Sequence, residues 1–234
     1  MLNSFAKLIG ALLLMAAPSA AMAQDVRYSW FEISFLERDV GKNGVITDSL
    51  IGQTVDISAK DGNGIKFRGS VGTWHNWFAF VDFSSSDITV NALVSNSQGS
   101  FPAQDEFDFT TVSGGVGVRW PLTLQTDIYA VVSYDSTDLD FGSLAGENFD
   151  AGDKDVGARI GIRSMFTDKV ELRARVRYSG VGNVDLNTGV MDADTLFGVG
   201  FGYEMIRGLS ITGDFESGEF SSWTIGFRLD LDEN

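Results

Sequence analysis

The stretch VELRARVRYSG, residues 170–180, carries Glu171, Arg173, Arg175 and Arg177 in alternation with Val170, Leu172, Ala174, Val176 and Tyr178. On a helix of 3.6 residues per turn these charges scatter around the cylinder. On a strand of period two they form one charged face and one apolar face. A two-faced strand has two homes. In a soluble antiparallel sheet the apolar face meets a core and the charges meet water. In a membrane barrel the apolar face meets lipid and the charges line the interior.

The start of the chain bears on that choice. Lys7 precedes the apolar run LIGALLLMAA, then come Pro18, small residues and AMA at 21–23, which together have the form of a cleaved secretory signal. The run is shorter than the ~20 apolar residues that a helix needs to span a bilayer. Residues 1–23 are therefore expected to be a signal peptide, with 24–234 forming one domain. Lys7 is the only charge removed, so 211 residues with a formal charge of −16 remain. That acidity argues against a nucleic-acid partner, which needs clustered Lys and Arg. The absence of cysteine excludes disulfides. No second helix-length apolar run follows, so a mature chain that enters a membrane must do so as a closed barrel.

Ten strands are expected, near 27–37, 64–74, 76–85, 108–120, 122–134, 154–166, 169–179, 194–204, 208–216 and 221–231. Several repeat the opening pattern. In KDVGARIGIRSMF (154–166), Asp155, Gly157, Arg159, Gly161 and Arg163 oppose Val156, Ala158, Ile160 and Ile162; in SSWTIGFRLDL (221–231), Trp223, Ile225, Phe227, Leu229 and Leu231 oppose Thr224, Gly226, Arg228 and Asp230. Tight turns are expected at TWHN (73–76), WPLT (120–123), FTDK (166–169) and EMIRG (204–208), and longer links at 38–63, 86–107, 135–153 and 180–193. Short connections on one side and long ones on the other suit an outer-membrane barrel with periplasmic turns and extracellular loops. A soluble sandwich would usually have shorter strands and less sorted connections. The expected fold is an all-β, antiparallel, up-and-down transmembrane β-barrel.

In that fold the inner faces gather a lumen charge network of Glu32, Lys66, Arg68, Asp82, Arg119, Arg159, Arg163, Glu171, Arg173, Arg175, Arg177, Glu204, Asp214, Glu216 and Arg228. Both signs recur, as buried charges require. Tyr28, Trp74, Trp77, Trp120, Phe166, Tyr203 and Trp223 lie near turns or strand starts and are expected to form aromatic girdles at the lipid interface.

The motifs RYSWFEISF, GNGIKFRGSVGTWHNWFAFVDFS, TVSGGVGVRW, TDIYAVVSYD, DVGARIGIRSMF, VELRARVRYSG and SSWTIGFRLDL, in this order, resemble those of small bacterial outer-membrane β-barrel proteins of the porin-like superfamily. The resemblance spans nearly all of residues 24–234 and concerns architecture more than activity. It implies residence in the bacterial outer membrane, with outer-membrane lipids and lipopolysaccharide around the barrel and with barrel-assembly machinery and periplasmic chaperones during biogenesis. Such proteins often finish on an aromatic residue; here the last aromatic is Phe227, followed by RLDLDEN.

Chemistry-bearing motifs are sparse. His75 is the single histidine, sits in an expected turn and has no Ser or Asp partner specified by motif. The segment 135–153 supplies Asp135, Asp138, Asp140, Glu147, Asp150 and Asp153, but lacks the spacing of a twelve-residue calcium loop, so a solvated acidic loop is expected and no specific metal site, with diffuse divalent cations between these acids and lipopolysaccharide left open. GVGFGY (198–203) is not a nucleotide loop, since it lacks GxGxxG and leads into a strand turn; Gly198, Gly200 and Gly202 share a face and leave room beside inward arginines. No cofactor and no catalytic set are expected. Two roles are open, a structural or surface-interaction barrel and a narrow diffusion channel lined by arginines, with an enzyme a distant third.

Overall fold

The computed structural model describes residues 26–40, 43–48, 53–73, 76–96, 99–140, 150–185 and 190–231. These form eleven strands: β1 Trp30–Asp39, β2 Asn43–Asp48, β3 Gln53–Gly72, β4 Trp77–Asn96, β5 Gly99–Pro121, β6 Thr126–Asp140, β7 Asp150–Met165, β8 Val170–Asp185, β9 Val190–Ile206, β10 Leu209–Ser217 and β11 Ser221–Asp230. Each strand from β3 to β10 pairs antiparallel with its successor, and β1 pairs with both β11 and β3. Ten strands thus close an up-and-down barrel. The eleventh, β2, adds to β3 beyond the rim, pairing residues 43–48 with 53–58.

Closure removes the sheet edges within the ring, so the backbone donors and acceptors there pair across strands, with register shifts at Ala59/Gly62, Ser179/Asn183 and Leu209/Ser210. The side chains then sort by parity. Phe31, Ile33 and Phe35 of β1, Val116 and Trp120 of β5, Val156 and Ile160 of β7, Phe201 and Tyr203 of β9 and Phe227 and Leu229 of β11 all point outward and are exposed. Glu32, Ser34, Arg68, Ser113, Arg173, Thr212 and Arg228 point inward and are buried. A soluble domain does not leave a continuous apolar belt of this size uncovered. Along β11 and one residue past it the belt runs from Trp223 to Leu231, about 26 Å at ~3.3 Å per residue. Strand tilt brings that close to the hydrocarbon band of an outer-membrane barrel.

The connections differ in detail from the sequence expectation. Strands give way at 73–76, 122–125, 166–169 and 207–208, so the second turn lies two residues later than WPLT and the fourth is only Arg207 and Gly208. Gly208 takes φ of 80°, which a residue with a side chain rarely adopts. At the opposite end, most of the segments expected as long links are strand: β4 and β5 stay paired from Trp77↔Val118 to Asn96↔Gly99. Asp87, Thr89 and Asn91 do alternate with Ile88, Val90 and Ala92, so a strand signal is present that the reading of 86–107 as one long link passes over; the continuing ladder with β5 orders it. The wall β2–β3–β4–β5 consequently rises beyond the rest of the barrel. Residues 1–23, expected to be a signal peptide, Trp74 and His75 lie outside the described residues.

Candidate functional site: the charged lumen

The interior is built in three layers. At the end carrying the short turns, Val26, Tyr28, Phe78, Tyr129, Val131 and Met165 pack together. At the end carrying the long connections, Val40, Ala59, Ile88, Phe107, Phe109, Leu139, Val181 and Phe220 form a second apolar layer. Between them lies a mesh of ion pairs.

The mesh is centred on Asp214 of β10. It accepts hydrogen bonds from Arg68 at 2.5 Å, Arg173 at 3.0 Å and Arg175 at 2.6 Å. Arg68 of β3 also binds Glu32 of β1, which is fully buried and lies in register between Arg68 and Arg228. Arg175 continues to Glu216 at 3.2 Å, and Lys66 lies 3.8 Å from Glu216 and 3.4 Å from Asp82. Toward the turn end, Glu171 receives Arg163 at 2.7 Å and Arg228 at 3.0 Å. Toward the loop end, Arg177 donates to Asp135 at 2.9 Å.

Local sequence makes these contacts possible. Arg173 of β8, Gly200 of β9 and Asp214 of β10 stand side by side in register, as do Arg175, Gly198 and Glu216. A guanidinium on β8 therefore crosses β9 over a bare Cα to reach an acid on β10. A Cβ added at Gly198 would come within 2.9 Å of Arg175 Nε. Arg163 stands opposite Arg173, and Arg159 opposite Arg177. Like charges facing across a ladder repel, and the carboxylates on neighbouring strands offset this for Arg163, Arg173 and Arg177.

Other expected network members sit at the margins. Arg119 is one-third exposed, bonds Asp127 at 3.3 Å and stacks on the Tyr28 ring. Glu204 accepts the backbone N–H of Gly208 at 2.8 Å beside the turn. Arg159 is half-buried with its guanidinium 5.1 Å from the Phe80 ring centroid.

Four inward groups escaped the sequence reading, one of them Asp127, buried beside Arg119. Arg38 is buried, lies 4.1 Å over the Phe109 ring and donates to Ser84. Asp135, read as the start of an acidic loop, is buried and accepts from Ser113 as well as Arg177. Tyr28, expected in the girdle, is buried inside the barrel with its ring 4.8 Å from Phe78. It shares parity with Glu32 and Ser34, and that parity carries it inward. Trp77, Trp120, Phe166, Tyr203 and Trp223 do project outward.

The acids of segment 135–153 do not converge. Asp138 and Asp140 face outward while Asp135 faces the lumen, and Glu147 lies outside the described residues. Among the described residues no three His, Cys, Asp or Glu side chains are grouped to hold a metal.

The sequence matches the family described as outer membrane protein beta-barrel domain over residues 9–204. No curated protein matches it. Among solved structures, the beta domain of the Bordetella autotransporter BrkA is similar at 10% identity and TM-score 0.48, covering 88% of this chain and 100% of that one. The outer membrane protein OprG of Pseudomonas aeruginosa is similar at 10% identity and TM-score 0.45, covering 90% and 100%. The attachment invasion locus protein Ail of Yersinia pestis, in complex with the heparin analogue sucrose octasulfate, is similar at 12% identity and TM-score 0.41, covering 86% and 99%. With the family match extending over most of its length, the chain belongs to the outer membrane protein beta-barrel domain family.

Proposed function

We propose that this outer-membrane barrel serves a structural or surface-interaction role and conducts no steady flux of solute. The observation that carries this reading is the layered interior. An apolar cluster at either end closes on a mesh in which seven buried cations face seven buried carboxylates. Small barrels are filled by side chains, and larger ones open; this filling supports reading the ten-stranded barrel as one of the former. The charges then serve to hold the wall together, since removing either partner of a buried pair is costly.

On this reading residues 1–23 direct export and are cleaved, the termini and short turns face the periplasm, and the tall wall β2–β5 faces outward. Outer-membrane lipids cover the apolar belt. Outward Asp87, Asp108, Asp138 and Asp140 stand above that belt, where diffuse divalent cations would join them to the phosphates of lipopolysaccharide. Assembly machinery and chaperones are required as for any such barrel. The reading assigns no catalytic step.

Single-channel recording in a planar bilayer, with protein refolded from detergent, tests it. Silent bilayers with demonstrably inserted protein are expected. Discrete steps whose ion selectivity changes in Arg175→Glu would replace this reading with the narrow-channel one.

A further inference from the structure

One lumen feature is not explained by holding the wall together. Between the ion-pair mesh and the apolar layer at the turn end lies a cavity of about 60 Å³. Six of its lining residues bury polar atoms that have no hydrogen-bond partner: Tyr28 Oη, Trp30 Nε1, Ser70 Oγ and the Nε atoms of Arg159, Arg163 and Arg173. Indole and guanidinium nitrogens only donate, and the two hydroxyls are free to do so. The carboxylate that shares the cavity, Asp82, is held by Lys66 at 3.4 Å. Arg159 has no ion pair with a carboxylate among the described residues; its register neighbours are Val131 and Arg177, and its guanidinium rests on Phe80. The lining also includes the apolar side chains of Phe78, Phe80 and Val131 and the ring of Tyr129.

We propose that this cavity is a binding site for a small organic monocarboxylate, its carboxylate received by Arg159 and the neighbouring unpaired donors and its short apolar tail set against Phe78, Phe80 and Tyr129. Arg173 Nε lies 3.6 Å from Glu171, and the other five donors bond no carboxylate; a carboxylate accepts at several sites and donates none, whereas a water accepts two hydrogen bonds and brings two donors. Size limits the occupant. At roughly 10–15 Å³ of such space per small polar molecule, about four to six non-hydrogen atoms fit, which suits acetate or propionate. The inference does not depend on whether the barrel conducts.

The test titrates the full-length folded barrel in detergent with ¹³C-labelled acetate and propionate, read by NMR line broadening, with methylammonium as the cationic control. Saturable binding is expected for both carboxylates, tighter for propionate, and none for methylammonium. Arg159→Met should weaken binding about tenfold or more, because a charge-assisted hydrogen bond is lost. Arg38→Met removes the same charge from the lumen outside this cavity and should leave binding within about twofold. Tyr28→Phe, which removes only a hydroxyl, serves as a second variant should Arg159→Met not fold, and should weaken binding several-fold. Absence of saturable binding overturns the proposal. So does an equal loss in Arg159→Met and Arg38→Met, which would report lumen charge alone, or competition by chloride as strong as that by propionate, which would mark an inorganic-anion pocket.

Discussion

Arg173 on β8 and Asp214 on β10 meet at 3.0 Å across an intervening strand, and Gly200 of β9 lies in register between them. The pair belongs to a carboxylate shared by three guanidiniums, so its loss strands more than one charge. Asp214→Asn should destabilise the barrel by about 3–5 kcal/mol, the range for breaking a buried ion pair. Urea unfolding in lipid vesicles measures it. A change below ~1 kcal/mol would mean that water reaches the mesh and screens it.

The β9 glycines should not be equivalent. A methyl at Gly198 collides with Arg175 at Cγ and Nε, 3.0 and 2.9 Å away, and the displaced side chain would loosen its bonds to Asp214 and Glu216. At Gly202 the nearest atom, Glu171 Cβ, is 3.7 Å off, an ordinary contact. Gly198→Ala should cost about 1–3 kcal/mol by overpacking, and Gly202→Ala should be close to neutral. Unfolding midpoints of the two variants compare them directly.

These contacts also indicate what alternation could and could not reveal. The register faces of β7, β8, β10 and β11 were legible because each strand has one apolar and one charged side within the belt. Arg38 and Asp135 were missed for one reason: each lies a single residue past a strand end read at 37 and 134, where the outward face turns polar and the two-sided contrast vanishes. The strand through residues 87–92 does alternate, and reading 86–107 as one long link is what passes over it. Pairings between β8 and β10 were beyond reach, because reaching over β9 depends on closure and stagger that a single strand's pattern does not encode.

The sidedness of the barrel can be read by labelling, since the chain has no native cysteine. Asp140 and Asp168 are both exposed and lie at opposite ends of the barrel. Asp140→Cys should react with a membrane-impermeant maleimide on intact cells, and Asp168→Cys only after the outer membrane is opened. Labelling of both on intact cells, or the reverse order, would reject the assigned orientation.

Ile160 projects from the middle of β7 between Ala130 and Val176, with 56% of its surface uncovered by protein. Ile160→Arg should cost about 2–4 kcal/mol if the site lies near the bilayer midplane. Ile160→Leu should be nearly silent, since lipid accepts either shape. Equilibrium unfolding in vesicles distinguishes them; equal stabilities for the Arg and Leu variants would remove this position from the hydrocarbon.

The inversion of the fold, charges within and apolar side chains toward lipid, is tested most directly by comparing two neighbours on β7. A fluorophore attached at Ile160→Cys or at Arg159→Cys, in refolded protein within vesicles, is exposed to lipids carrying a nitroxide on the acyl chain. Strong quenching at position 160 and little at 159 is the expected result, because alternate residues of one strand face opposite sides of the wall. Equal quenching at both positions, or silence at both in a folded sample, would contradict the membrane barrel itself.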